Sequence, residues 1–157
     1  MSLLPLFQWM DGTAVGDAIG SSNVLSATLQ IVHLLGMALL VGTVMSIDLR
    51  LLGRDVRRQS LVRIAEQLAP LTWVGLAVML LTGSLLLTAQ ALRFYHNRLF
   101  WLKLALLLLA VVFHFTIHVK VTSETTSVTP AGARLVAWLS LTLWIGTGIA
   151  GKAMDFY

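Results

Sequence analysis

The sequence contains no cysteine, and this absence removes several classes of protein from consideration. Disulfide bonds, cysteine-ligated zinc, iron–sulfur clusters and covalent haem attachment through a Cys-x-x-Cys-His motif are all excluded. Glycine-rich phosphate-binding and dinucleotide-binding motifs are also missing from the sequence. Any metal or cofactor must therefore be held by histidine, methionine, lysine, carboxylate or backbone groups.

Charged residues are scarce as well. Only 11% of the 157 residues are charged and 57% are hydrophobic, whereas soluble domains average about 25% and 45–50%. The mean hydropathy is +0.85. This composition predicts an integral membrane protein with one all-α domain over residues 1–157, a four-helix transmembrane bundle. The net charge of +4 comes mostly from one arginine-rich connection, so we expect no nucleic-acid partner.

The first 23 residues contain no lysine or arginine. A secretory signal begins with a basic segment, so we expect none here. Apolar residues recur between about residues 3 and 19, but this run is too short to cross a bilayer. It predicts a short N-terminal interfacial helix that lies on the membrane surface.

Four longer apolar segments follow, at about residues 24–49, 68–92, 99–121 and 135–154. Pro70 falls in the first turn predicted for the second span, where its missing N–H is tolerated. The connection after the first span carries five arginines: Arg50, Arg54, Arg57, Arg58 and Arg63. By the positive-inside rule, this connection faces the cytoplasm and both termini face the periplasmic or outer side. We therefore expect a multi-pass protein of a bacterial inner membrane, whose arginines attract anionic membrane lipids.

The third span carries three ionisable residues on one helix face. With Lys103 as reference and 100° per residue, His114 lies about 20° away and His118 about 60° away. Lysine at the bilayer centre costs roughly 2.5–3.5 kcal/mol on insertion scales, so we expect this face to point into the protein. Lys103 lies roughly 6 Å, His114 roughly 22 Å and His118 roughly 28 Å from the outer end of the span. This spread in depth predicts more than one site.

His33, in the first span, lies roughly 13 Å below the outer end of its helix, and Gly36 one turn away leaves room for a flat ring. A haem b held by two histidines needs imidazoles on different helices, and depth favours His33 with His114. Lys103 can reach inward and bind iron as a neutral amine, whereas His118 needs a tilted helix or a second cofactor. Each also has a structural interpretation: His33 as a hydrogen-bonded core residue, Lys103 reaching outward to the headgroups, and His118 as an interfacial residue.

Two further patterns allow other interpretations of the same spans. His114 and His118 are four residues apart, so they can chelate one copper or zinc ion, with Asp48 as a candidate third ligand. The metal-ligand candidates are thus His33, His114 and His118. Small residues recur every four positions on the first span, which lets another helix approach closely. They are Ala38, Gly42 and Ser46.

Five stretches of the sequence also carry a family resemblance. They are HLLGMALLVGTVMSIDLRLLG (33–53), LAPLTWVGLAVMLLTGSLLL (68–87), FWLKLALLLLAVVFH (100–114), HVK (118–120) and RLVAWLSLTLWIGTGIAGK (134–152). Together they resemble a family of small, uncharacterised bacterial four-helix membrane proteins. Their order is similar to that of the HemJ-type protoporphyrinogen oxidases and of the membrane domain of copper-resistance-D proteins.

The resemblance to HemJ-type enzymes implies a haem b site. It implies His33 as one axial ligand, with Lys103 or a third-span histidine opposite. The chain differs from these enzymes at the end of the first span, where it has Asp48-Leu49-Arg50-Leu51 instead of a Tyr-x-x-Arg-Leu motif. This difference argues against porphyrinogen oxidation.

Taken together, these features predict a haem b-binding membrane cytochrome or electron-transfer subunit. It would exchange electrons with quinone or a partner redox protein, within a homo-oligomer or a larger membrane complex. Three alternatives stay open: a non-catalytic accessory or scaffold subunit, a porphyrinogen-oxidising enzyme, and a protein that handles transition metals.

Overall fold

The computed structural model describes residues 3–53, 58–123 and 129–154, and within these ranges the chain is helical with no strand. Four helical stretches are long and apolar enough to cross a membrane, as in a multi-pass membrane protein. This confirms the predicted all-α four-helix bundle. The four stretches are Asn23–Leu52, Leu61–Ala89, Arg98–Thr122 and Pro130–Ala153.

The N-terminal helix predicted at about residues 3–19 is present as two short helices. These are α1 (Leu4–Asp11) and α2 (Ala14–Ser21). Gly12 and Thr13 separate them. The Thr13 hydroxyl caps α2 by accepting a hydrogen bond from the Gly16 N–H at 3.2 Å, which satisfies one of the free donors of the first turn.

Both short helices pack on one end of the bundle, which we call the α1–α2 end. Phe7 of α1 is buried, and its ring centroid lies 5.1 Å from that of Tyr95 and 6.1 Å from that of Phe100. Gly16 of α2 lies so close to the second span that a Cβ there would be 2.5 Å from the Thr88 carbonyl oxygen. A glycine is therefore required at this contact.

The first two long helices are α3 (Asn23–Leu52) and α4 (Arg58–Ala89). Ser22 caps α3 by accepting from the Leu25 N–H. Because α4 begins well before the second predicted span, Pro70 lies inside the helix and not in its first turn. Arg54 and Arg57 of the predicted arginine cluster lie outside the described residues. We call the end of the bundle that carries Arg50 and Arg63 the arginine end; both side chains are exposed.

A short helix, α5 (Ala91–His96), precedes the third span. The span itself consists of three consecutive helical segments: α6 (Arg98–Phe113), a π-helical turn (His114–His118) and α7 (Val119–Thr122). The fourth span is α8 (Pro130–Ala153), which begins with its proline in the first turn.

The four spans are arranged around the bundle in the order α4, α3, α8 and α6. Glycines bring α3 and α4 into close contact, since a Cβ on Gly75 would lie 2.7 Å from the backbone nitrogen of Leu40. α4 meets the third span near the arginine end, where Trp73 stacks on Phe115 with ring centroids 4.5 Å apart. Towards the α1–α2 end, a cavity lies among the four helices.

An apolar layer crosses the middle of the bundle. It consists of Leu40, Val44, Leu76, Met79, Ala110 and Trp144. On α3 this layer separates His33 from Asp48, and on the third span it separates Lys103 from His114. The ionisable residues of the interior are therefore divided between two regions, one on each side of the layer.

Candidate functional site

A cavity of ≈ 340 Å³ opens on the α1–α2 side of the apolar layer. All four spans contribute to its wall, together with α5. Its polar lining residues are Gln30, His33, Gln90, Arg93, Lys103 and Lys152, and its glycines are Gly83, Gly148 and Gly151. The volume lies within the usual range of ligand sites, about 300–1,000 Å³.

His33 of α3 is held in one orientation by Thr82 of α4, since Nδ1 lies 3.0 Å from Oγ1 of Thr82. The Thr82 hydroxyl donates its hydrogen to the Val78 carbonyl at 2.6 Å. Its oxygen therefore accepts a hydrogen bond from the Nδ1–H of His33. In the neutral ring, Nε2 then carries a lone pair, which is the arrangement found in metal-ligating histidines.

Glycines on two facing helices make room for the long side chains of the cavity. A Cβ on Gly83 would lie 3.1 Å from Cε1 of His33, and a Cβ on Gly151 would lie 3.3 Å from Cε of Lys103. Both distances are shorter than an ordinary carbon–carbon contact of about 3.5–4.0 Å. A larger residue at either position would displace the neighbouring side chain.

The cavity is rich in positive charge. Arg93 and Lys152 are exposed and mark its rim, whereas Lys103 is half-buried further inside. Arg93 is oriented by its Nη1 group, which donates to Oε1 of Gln90 at 2.8 Å. An amphipathic anion with its charged groups at the rim would match this distribution.

His33 and Lys103 are the two predicted ligands that line this cavity. They come from α3 and α6, which lie diagonally across the bundle. Gly36 is placed elsewhere: it packs against α4, where a Cβ would lie 2.8 Å from Cγ1 of Val78. The room beside His33 is provided by Gly83 instead.

The other two histidines form a second polar group on the arginine side of the apolar layer. The His118 and His114 rings stack with centroids 4.8 Å apart. Nε2 of His118 lies 2.7 Å from Oδ1 of Asp48, and both side chains are fully buried. We call these residues, together with Ser140 of α8, the Asp48 cluster.

The structure thus brings together the three residues predicted to bind copper or zinc. However, the hydrogen bond to Asp48 already occupies Nε2 of His118. In the described part of the chain, no three histidine, aspartate or glutamate side chains are placed to hold a metal ion. The structure adds no support for a copper or zinc site here.

Thr82 and Ser140 belong to these sites but are not among the residues predicted to bind a cofactor or metal. In the sequence, Thr82 shares a helix face with Gly75, Met79 and Gly83, a face suited to helix contact or to a flat ligand. Ser140 shares a face with Thr147 and Gly151. The importance of Thr82 and Ser140 depends on contacts between helices far apart in the chain.

Comparisons with known proteins place the chain in a wider group. The model of the DUF6644 family, a family of unknown function, matches residues 6–157. Searches of the curated proteins and of the solved structures returned no match. The comparisons therefore add no support to the resemblance to HemJ-type enzymes or copper-resistance-D proteins.

Proposed function

We propose that the chain, which belongs to the DUF6644 family, is a haem b-binding membrane protein that passes electrons to or from quinone or a partner redox protein. The observation that carries this proposal is the setting of His33. Its Nδ1–H is bound by Thr82, and its side chain lines a cavity between the four spans. Outer hydrogen bonds of this kind fix the orientation and tautomer of axial histidines.

The residues around the cavity fit a haem in three respects. His33 offers a nitrogen ligand, and Lys103 on the diagonal helix offers a second one as its neutral amine. Three glycines put no side chain into the cavity, and two of them, Gly83 and Gly151, leave room for the His33 and Lys103 side chains. The exposed cations Arg93 and Lys152 at the rim match the two carboxylates that haem b carries.

When bound, haem b would supply one-electron exchange between the ferric and ferrous states, at a potential set by ligand identity and burial. The chain itself has three tasks. His33 and Lys103 would hold the group, Arg93 and Lys152 at the rim would bind its carboxylates, and the apolar layer would separate it from the arginine side of the bundle. We place the cavity on the periplasmic side of a bacterial inner membrane, with the arginine end in the cytoplasm, because basic residues favour that side.

The test is a haem titration of the purified protein in detergent, followed by absorption. We expect saturation at one haem per chain. His33→Ala should weaken binding by more than about 100-fold, since loss of an outer partner of a ligand alone costs 10–100-fold. His96→Ala is the matched control, because His96 is exposed and bonds the Leu92 carbonyl of its own helix. Equal binding by the His33 and His96 variants would rule out the proposed ligand.

A second function, as an accessory subunit of a larger membrane complex, is favoured by one observation on α3. Ala38, Gly42 and Ser46 are all exposed, and a Cβ on Gly42 would meet no atom within 4 Å. A row of small residues facing lipid permits close approach of a partner helix. Co-purification of one fixed partner, lost in Gly42→Leu but kept in His33→Ala, would support this function.

A further inference from the structure

The Asp48 cluster is buried in the half of the bundle that the proposed haem site does not use. Asp48 and His118 are 0% and 1% exposed, and their side chains are joined by the 2.7 Å hydrogen bond. Ser140 is 1% exposed. Ionisable residues within a membrane are costly, and they commonly mark paths of ions or protons.

Three polar atoms of this cluster are buried without a hydrogen-bond partner: Oδ2 of Asp48, Nδ1 of His114 and Oγ of Ser140. More than 90% of buried polar groups in proteins are paired, so three in one region need an explanation. Leaving each unpaired costs about 1–3 kcal/mol. These three atoms are therefore able to form hydrogen bonds that the contacts within the fold do not provide.

The three atoms come from helices that meet within about one helical turn of each other. The His114 ring lies 6.4 Å from the Trp144 ring of α8. One turn further towards the arginine end, the third span carries His118 and α8 carries Ser140, because the two helices run antiparallel. Ser140 therefore lies at the level of the pair formed by His118 and Asp48.

The π-helical turn explains how both histidines face this level. Its hydrogen bonds connect residues five apart, so residues four apart lie closer to one line than they do in an α-helix. His114 and His118 stand at the two ends of this turn and stack. Such turns occur frequently at functional sites.

Along α3, the cluster lies closer to the arginine end of the bundle than to the cavity. On α3, Asp48 is four residues from the last helical residue, Leu52, or about 6 Å along the axis. In the opposite direction, the apolar layer separates it from His33, which is about 22 Å away along the same helix. Exchange of small species with water is therefore expected at the arginine end and not through the cavity.

Among the residues whose side-chain burial the structure describes, no lysine or arginine is buried, and Asp48 is the one buried carboxylate. α3 contributes Asp48 to the cluster, and α8 contributes Ser140 and Trp144, whose ring lies 6.4 Å from that of His114. Among its residues with described burial, α4 contributes no buried titratable side chain. Five charged residues of the arginine end are exposed: Arg50, Arg63, Glu66, Lys120 and Arg134.

We propose that the Asp48 cluster is a membrane-buried proton-binding site that exchanges protons with the arginine end. The proton binds at Oδ2 of Asp48, which has no partner in the structure, while Oδ1 continues to accept from Nε2 of His118. Uptake changes the charge of the cluster by +1, and release returns the proton to water at the same end. This assignment is independent of what the cavity binds.

The test is infrared difference spectroscopy of the purified protein in lipid, between acidic and alkaline pH, with and without added haem. We expect one C=O stretching band of a buried carboxylic acid that shifts to lower frequency in D2O. Asp48→Asn should abolish this band. Asp17→Asn, the same change at an exposed aspartate of α2, should leave it in place.

His118→Phe provides a second arm that preserves the carboxyl group. It should keep the band but move it to higher frequency, because Oδ1 of the protonated Asp48 loses the N–H from which it accepts. If Asp48→Asn does not fold, this shift in the His118 variant decides the matter. A spectrum that is the same in wild type, Asp48→Asn and His118→Phe would overturn the proposal. So would removal of the band by one equivalent of Zn²⁺ that depends on His114, since the cluster would then be a metal site.

Discussion

The Asp48 carboxylate and the His118 imidazole are 70 residues apart in the chain but 2.7 Å apart in the bundle. Both are shielded from solvent. Their hydrogen bond joins α3 to the third span, two helices that are diagonal in the bundle and pack mainly on other neighbours. The pair thus connects the two halves of the structure at the arginine end.

Removing one member of this pair should destabilise the protein strongly. Loss of either partner leaves the other polar group buried and uncompensated, at a cost of about 3–5 kcal/mol. We expect this loss of unfolding free energy in Asp48→Ala and in His118→Ala, measured by denaturant titration in detergent micelles. The double variant should lose much less than the sum of the two. Additive losses would mean that the two residues act independently.

Thr82 should control haem affinity without touching the ligand. Thr82→Val keeps the shape of the side chain but removes the oxygen that accepts from Nδ1 of His33. The expected loss of affinity is 10–100-fold, the usual effect of losing an outer partner of a ligand. Thr142→Val is the control, because the exposed Thr142 hydroxyl bonds only the Trp138 carbonyl of its own helix. Equal affinities in a haem titration would contradict the role assigned to Thr82.

A methyl group at Gly83 should displace the His33 ring. The added Cβ would lie 3.1 Å from Cε1, and such overpacking costs about 1–3 kcal/mol. If the overpacking raises the free energy of the haem-bound protein by this amount relative to the haem-free protein, Gly83→Ala weakens haem binding by about 5- to 150-fold. Gly42→Ala places the same methyl group in open space on α3 and should bind haem normally. Weakening of similar size in both variants would indicate a general effect on the helices.

The second ligand can be identified by comparing two variants. Lys103 lines the cavity, whereas His114 lies beyond the apolar layer. Lys103→Met should therefore change the absorption and electron paramagnetic resonance spectra of the bound haem, and His114→Ala should leave both spectra unchanged. If His114→Ala changes the spectra and Lys103→Met does not, the second ligand is His114, as the estimated depths of the residues in their spans predict.

The fold could be predicted from the sequence because bilayer physics constrains it. Apolar segments of sufficient length, separated by polar connections, leave little choice but helices that cross the membrane. The exact bounds of the helices were harder to predict from the sequence. The N-terminal segment forms two helices separated at Gly12, and α4 begins at Arg58, within a stretch predicted to be a polar connection.

The candidate sites could be predicted only in part. Helical periodicity placed Lys103, His114 and His118 on one face, and the estimated depths indicated more than one site. The pairing of His33 with Thr82, and of Asp48 with His118, depends on how the helices align with one another. That alignment is set by close contacts at glycines such as Gly75, which carry no distinguishing pattern in a single sequence.

The most direct test of the haem proposal is the absorption spectrum of the protein purified from membranes of haem-replete cells, combined with an iron determination on the same sample. We predict a Soret band, α and β bands on reduction, and one iron per chain, all lost in His33→Ala. A well-folded preparation with no Soret band and no iron would contradict the central claim.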